Sequence, residues 1–253
     1  LYTNKKQLFE KEYPSINFYE YNHNTKNIGA YCIYKLGCFN PNDKNLCAKD
    51  WRLINLCDIA NEILGLEFNH IKPKITFDKN YKNNLKKYVC IATQSTSQSR
   101  YWSKEKWEIV VNHLQKNGYV VVCVDKHYSF GDKNIMNYCP ANVDIFAGNE
   151  SFENIINLIK NSEFFIGLSS GLSWLAWALD KKVLTISGSV KDYFEFETPY
   201  RASNKNVCNG CFNNSKHKFN ASDWLWCPEN KNFECSKNIS EEMVIQHVNK
   251  LIS

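Results

Sequence analysis

From residue 88 onward, apolar runs of strand length alternate with amphipathic runs of helix length. YVCIAT (88 to 93) is continuously apolar apart from its last residue, as a strand buried on both faces must be. SKEKWEIVVNHLQKNG (103 to 118) carries its apolar residues at helical spacing, with Ser103 as N-cap and Gly118 as the stop. Further strands are predicted over YVVVCVD (119 to 125), a weaker NVDIF (142 to 146), EFFIGLSS and KVLTISG. Helices are predicted over SFENIINLIKNS (151 to 162, capped by Ser151) and GLSWLAWALD. This alternation implies right-handed βαβ crossovers and a parallel sheet covered on both faces, an α/β fold.

The first 87 residues are less regular. WRLINLCDIANEILGLE (51 to 67) is an amphipathic helix ending near Gly65, and the preceding YCIYKLGCFNPNDKNLCAKD reads as loop. IKPKITFDKNYKNNLKK is a linker, because Pro73 blocks helix and Lys and Asn dominate. The expected division is a partial N-terminal domain (1–75), a linker (76–87) and a C-terminal domain (88–253). YTNKKQLFEKEYPSINFYEYN, following Leu1, reads as mid-domain sequence, so an upstream segment is expected.

A chain of 253 residues can bury a sizeable core without staples. The 31 basic and 26 acidic residues leave +5 with no clustered basic stripe, which argues against a nucleic-acid partner. FFIGLSSGLSWLAWAL, the longest apolar stretch, is too short and too interrupted to span a bilayer. The cysteines number 11, and Cys90 and Cys123 fall in buried-strand runs, so a reduced, cytosolic compartment with a thiolate-bound metal fits better than disulfides.

In an open parallel sheet, ligands collect where strands end and helices begin, because free N–H groups and the positive end of the helix dipole point there. The loop ATQSTSQSRYW (92 to 102) offers hydroxyls with Arg100 and Trp102, a set suited to a diphosphate. In GLSSGLSWLAWAL, Ser169, Ser170 and Gly171 open a helix, with serine donors beside its dipole and a glycine that admits close approach. Asp125 ends YVVVCVD, where a carboxylate can accept from ribose hydroxyls or serve as a turn residue.

Near the C-terminus, Cys208 and Cys211 (C-x2-C) are followed by Cys227 and Cys235. Thiolates at such spacing suit a tetrahedral ion, zinc first and iron next, with Gly210 easing the tight turn. His217 lies between Lys216 and Lys218, which would repel a cation, and is expected to face solvent. Trp174 and Trp177 sit at helical spacing and read as core.

Together, ATQSTSQSRYW, FFIGLSSGLSWLAWAL, ISG, FEFETPYR and the C-x2-C, DWLWCP, FEC array resemble the bacterial autotransporter O-heptosyltransferases of glycosyltransferase family nine. The similarity runs over roughly residues 28 to 253, and FEFETPYR and the cysteine array (207–236) are its most specific parts. The resemblance implies a GT-B fold, its C-terminal Rossmann-like domain binding the nucleotide sugar, and transfer of heptose from ADP-heptose to serine hydroxyls of an autotransporter adhesin in the bacterial cytoplasm. It implies that Thr93, Ser95 and Arg100 hold the diphosphate, with Asp125 near the nucleoside. Ser169, Ser170 and Gly171 would present the helix N-terminus, flanked by Ser173 and Trp174. Arg100 stands where the family more usually has Lys.

For the four cysteines the resemblance implies a ferric ion rather than zinc, and a large ring-like homo-oligomer. The cysteine array is then expected to be a staple remote from the chemistry. The general base is expected upstream of the chain, and Asp43 and Asp50 carry no motif that assigns it. A non-catalytic nucleotide-sugar-binding or assembly module is the competing expectation.

Overall fold

The computed structural model describes residues 1–20, Tyr34, 50–132 and 135–253. Asp43 and the YKLGCF stretch beyond Tyr34 lie outside the described residues.

Asn55 caps helix α1 (Leu56–Leu64), its side chain accepting from Cys57 N, and the helix stops at Gly65 as its pattern predicts. The segment 66–87 forms no regular element, yet it is pinned to the domain. Ile75 is buried, Thr76 N donates to Leu8 O (2.8 Å), and Asp78 N donates to the Asn157 side chain (2.8 Å).

The alternating region then follows: strand β1 (Tyr88–Ala92), helix α2 (Lys104–Lys116), strands β2 (Val120–Cys123), β3 (Ser129–Asp132), β4 (Ile135–Tyr138) and β5 (Ile145–Phe146), and helix α3 (Phe152–Asn161). Strand β6 (Phe165–Leu168), helix α4 (Gly171–Ala178), strands β7 (Val183–Ile186) and β8 (Arg201–Ala202), and helices α5 (Glu234–Lys237) and α6 (Glu241–Ile252) complete it. Ser103 and Ser151 cap α2 and α3 as expected, accepting from Lys106 N and Asn154 N. Each such cap stabilises by about 1 kcal/mol.

The main sheet runs β5-β2-β1-β6-β7-β8 with every pairing parallel. One face packs on α2 and α6 through Trp107, Val110, Leu114, Val244 and Val248, and the other on α3 and α4 through Ile155, Ile159, Leu175 and Ala176. Burying side chains of this size stabilises by about 1.5–3 kcal/mol each. A third apolar cluster joins Ile59 of α1 to Val190, Phe194, Phe212 and Trp226. The antiparallel hairpin β3–β4 was not expected from the sequence.

Strand order reverses direction at β1: β2 lies on one side and β6 on the other. The loops leaving β1 and β6 therefore part there and open a crevice at the carboxyl edge of the sheet.

Candidate functional site

The loop after β1 closes with a 3-10 turn over Gln98–Arg100. That turn carries Arg100 across the crevice, where Nη1 donates to the Ser169 carbonyl (3.1 Å) at the end of β6. The half-buried guanidinium lies 5.5 Å over the Phe212 ring. Burial pulls the Arg100 pKa down and the nearby Glu195 carboxylate pushes it up, and the group stays charged at any working pH.

Behind Ser169 stands a buried ion pair. The Ser169 hydroxyl donates to Glu195 Oε1, and Glu195 Oε2 pairs with Arg201 Nη1 at 2.5 Å. The two charged side chains are 3% and 8% exposed. Asn55 Nδ2 fixes the same segment by donating to Glu195 O (2.9 Å). The contacts run Arg201, Glu195, Ser169, Arg100, so FEFETPYR is linked to the Arg100 guanidinium through a chain of contacts. Sequence reasoning treated that stretch as a family marker and missed its part in the site. The available signal was an acid and a base six residues apart in an aromatic-rich run.

At the start of α4, Ser170 Oγ is buried without a hydrogen-bond partner and does not cap the helix. Gly171 is exposed, and a Cβ there would meet nothing within 4 Å. The first-turn N–H groups have no partner within the helix. Ser173 and Trp174, expected to flank the ligand, turn inward instead. Ser173 is fully buried and donates to Leu168 O (2.6 Å), while Trp174 packs on Phe196 with ring centroids 5.0 Å apart. Trp177 stacks on the same Phe196 at 5.8 Å, as a core reading of the pair requires.

Other residues of the expected set are likewise engaged within the protein. Asp125 is buried, and its oxygens accept from Thr93 N (2.6 Å), Thr93 Oγ1 (2.9 Å) and Gln94 N (3.2 Å). Its carboxylate fastens the start of the β1 loop rather than facing a ribose, and burial raises its pKa. Thr93 and Ser95 are buried too, and Ser95 O accepts from Tyr101 OH (2.7 Å). Trp102 belongs to the core beneath α2, donating from Nε1 to Ile239 O at 2.8 Å. Its apolar bulk outweighs its place in a polar loop, because a buried indole needs only one acceptor. Arg100, Ser170 and Gly171 remain at the crevice, with Ser169 behind them.

The cysteine segment is not remote. A cavity of about 280 Å³ has Ser97, Ser99 and Arg100 on one wall and Phe212, Asn220 and Asp223 on the other. Gln98 N donates to Trp224 O (3.1 Å), and Ser236 Oγ donates to Ser99 O. Gly210 adopts a left-handed conformation (φ 67°), and a Cβ there would strike the Lys191 side chain. His217 is half-buried against Glu229 (2.8 Å) rather than solvent-facing.

Cys208, Cys211 and Cys227 are half-buried and Cys235 is buried, all as free thiols. Burial first, then a hydrogen bond with Glu234, pushes the Cys208 thiol up to about 12, and burial pushes Cys235 up to about 11. Cys211 is raised by burial and then by Cys235, Glu229 and Cys227, so the group shares one neighbourhood. The expected four-sulfur cage is nevertheless not closed. Among the described residues, the set of three ligand atoms within 4.8 Å of one another is that of Cys123, Asp125 and Cys139.

The glycosyltransferase family 9 (heptosyltransferase) pattern matches residues 51–226, and the chain belongs to that family. It is 35% identical over 250 residues to the autotransporter heptosyltransferase TibC of Escherichia coli O78:H11, covering 96% of this chain and 61% of TibC. The crystal structure of TibC, described as an iron-containing dodecameric glycosyltransferase, matches with a TM-score of 0.90 at 34% identity, covering 97% of this chain and 67% of that one. TibC in complex with ADP-D-beta-D-heptose matches at 0.88 and 34% identity, covering 97% and 66%. The inactive autotransporter heptosyltransferase BimC of Burkholderia thailandensis is 28% identical over 223 residues, covering 85% of this chain and 52% of BimC. The chain spans about three fifths of the length of TibC and of its Citrobacter rodentium counterpart. No helix among the described residues is long and apolar enough to cross a membrane.

Proposed function

We propose that this chain is the donor-binding part of an autotransporter heptosyltransferase, moving heptose from ADP-heptose to serine hydroxyls of an adhesin in the bacterial cytoplasm, as a homo-oligomer. The observation that carries the reading is Arg100, anchored on Ser169 O across the switch-point crevice and facing the uncapped start of α4. A diphosphate placed there meets a guanidinium fork and free N–H groups together.

In the transfer, the acceptor oxygen forms a bond to the anomeric carbon while the bond from that carbon to the β-phosphate oxygen breaks. Negative charge then collects on the departing ADP, where Arg100 and the α4 amides stabilise it. The acceptor hydroxyl's proton passes to a general base. Asp50 is a poor candidate for that base, since Arg52 holds both its oxygens (Nε at 3.0 Å, Nη2 at 2.9 Å) and lowers its pKa.

Cys208, Cys211, Cys227 and Cys235 fit a metal ion by their chemistry. They are free thiols gathered around a left-handed turn, and a cation would supply the charge needed to deprotonate them. They would hold the ferric ion, with zinc as the alternative, and the ion would cross-link the wall of the cavity. Nothing in this role acts on the heptose itself.

Calorimetric titration with ADP-heptose tests the site. Arg100→Ala is expected to lose about 2–5 kcal/mol of donor affinity, roughly 30- to 4,000-fold in Kd. Unchanged affinity, or binding that strictly requires Mg²⁺, refutes the assignment. A second reading, a donor-binding or assembly module without transfer, is favoured by the similarity to a relative named inactive. Release of ADP in the presence of a serine-rich acceptor separates the two.

A further inference from the structure

Cys123 at the end of β2, Asp125 two residues on, and Cys139 just past β4 bring their ligand atoms into one buried triangle beneath the loop that carries Arg100. Cys123 Sγ lies 3.6 Å from Cys139 Sγ and 3.4 Å from Asp125 Oδ2, and Cys139 Sγ lies 3.7 Å from the same oxygen. A tetrahedral zinc ion sits about 2.3 Å from sulfur and about 2.0 Å from oxygen. Those bond lengths require roughly 3.8 Å between sulfurs and roughly 3.5 Å between sulfur and oxygen. The triangle therefore already has the edges of one face of such a tetrahedron.

We propose that Cys123, Asp125 and Cys139 bind a single thiophilic divalent cation of the zinc class, at a site separate from the C-terminal cysteines. Soft sulfur with one carboxylate suits zinc over magnesium or calcium, which take oxygen ligands. The surroundings are those of an oriented ligand set. Thr93 N and Gln94 N donate to the Asp125 carboxylate, and Gln94 Nε2 donates to Cys139 Sγ (3.3 Å). Thr93 Oγ1 lies over the Asp125–Cys139 edge, 2.9 Å from Oδ2 and 3.3 Å from Sγ.

Binding releases the two thiol protons to solvent, the ion takes the place of the S–H contacts, and no electron moves. Two thiolates and a carboxylate with a divalent ion leave one net negative charge, which the Thr93 and Gln94 amides face. Gln94, whose amide reaches Cys139 Sγ, also borders a cavity of about 180 Å³ shared with Lys126 and His127. An ion here would tie the end of β2 and the hairpin's exit to the start of the Arg100 loop.

The direct test is an anomalous difference map at the zinc edge from crystals of the wild-type protein grown with ZnCl₂. A peak about 2.0–2.3 Å from Cys123 Sγ, Cys139 Sγ and Asp125 Oδ2 is the expected result. No peak there while the C-terminal cysteines are occupied overturns the proposal, as does a Cys123–Cys139 disulfide in its place. In solution, zinc per chain should fall by one ion in a Cys123→Ser/Cys139→Ser variant, with the metal held by the C-terminal cysteines, iron or zinc, unchanged. Unchanged zinc content in a folded variant refutes the site, and if that variant does not fold the wild-type map decides.

Discussion

Replacing Glu195 by Gln removes one charge from a pair that water scarcely reaches, with 3% and 8% of the two side chains exposed. Arg201 is then left buried beside a neutral amide, with the Phe196 carbonyl (3.3 Å) and the more distant Asp192 (3.9 Å) to receive it. Breaking a buried pair from one side costs about 3–5 kcal/mol, whereas removing both partners is often close to neutral. For a chain of this size, about 1 kcal/mol shifts the melting midpoint by about 2–4 °C, so Glu195→Gln should melt roughly 6–20 °C lower. Arg201→Met, paired with Glu195→Gln, should recover much of that loss. Denaturant melts of the wild type, both single variants and the double variant give the coupling energy directly. A Glu195→Gln protein that melts like wild type, or a double variant whose losses simply add, would refute the account of FEFETPYR as a buried ion pair.

The remaining expectations concern other parts of the same region. Trp102→Ala should cost about 3–5 kcal/mol of stability while leaving the donor affinity of the folded fraction unchanged, since Trp102 lies in the core; a selective loss of affinity at full stability would contradict this. Asp50 has its pKa lowered by Arg52, so its contribution is present above the ordinary carboxylate value near 4 and lost as pH falls through the folded pKa. Asp50→Asn should therefore cost up to about 1 kcal/mol at pH 7 and lose less stability than wild type on acidification from pH 5 to 3, as read from denaturant midpoints. Cys208→Ser should weaken donor binding as well as stability, because the cysteine segment walls the cavity beside Arg100; unchanged affinity measured by calorimetry would return that segment to a remote role.

Periodicity was enough for β1, β2, β5, β6 and β7 and for α1 to α4, but not for the edge strand β8 or for α5 and α6. Ser103, Ser151 and Gly65 mark boundaries that local hydrogen bonding sets, so the chain states them locally. The hairpin β3–β4 escaped because SFGD and IMNY are short, half-exposed and unmarked by alternation. The placement of Arg100 and Ser170 at the crevice was legible from their loop positions. Thr93, Asp125 and Ser173 were polar residues in the right loops, yet groups within the protein claim them, and only three-dimensional pairing reveals which polar atoms are already spent. The contacts of Ser169 with Glu195 and of Ser236 with Ser99 join segments that no local pattern connects.

Gly171 stands at an ordinary helix start, with open space where a side chain would begin. The folded polypeptide by itself would accept alanine there. If the position nevertheless tolerates only glycine for activity, the requirement is imposed by the molecule that docks against it. Gly171→Ala then serves as a ruler: the fold is untouched, and any affinity lost measures how closely the incoming phosphates approach the backbone.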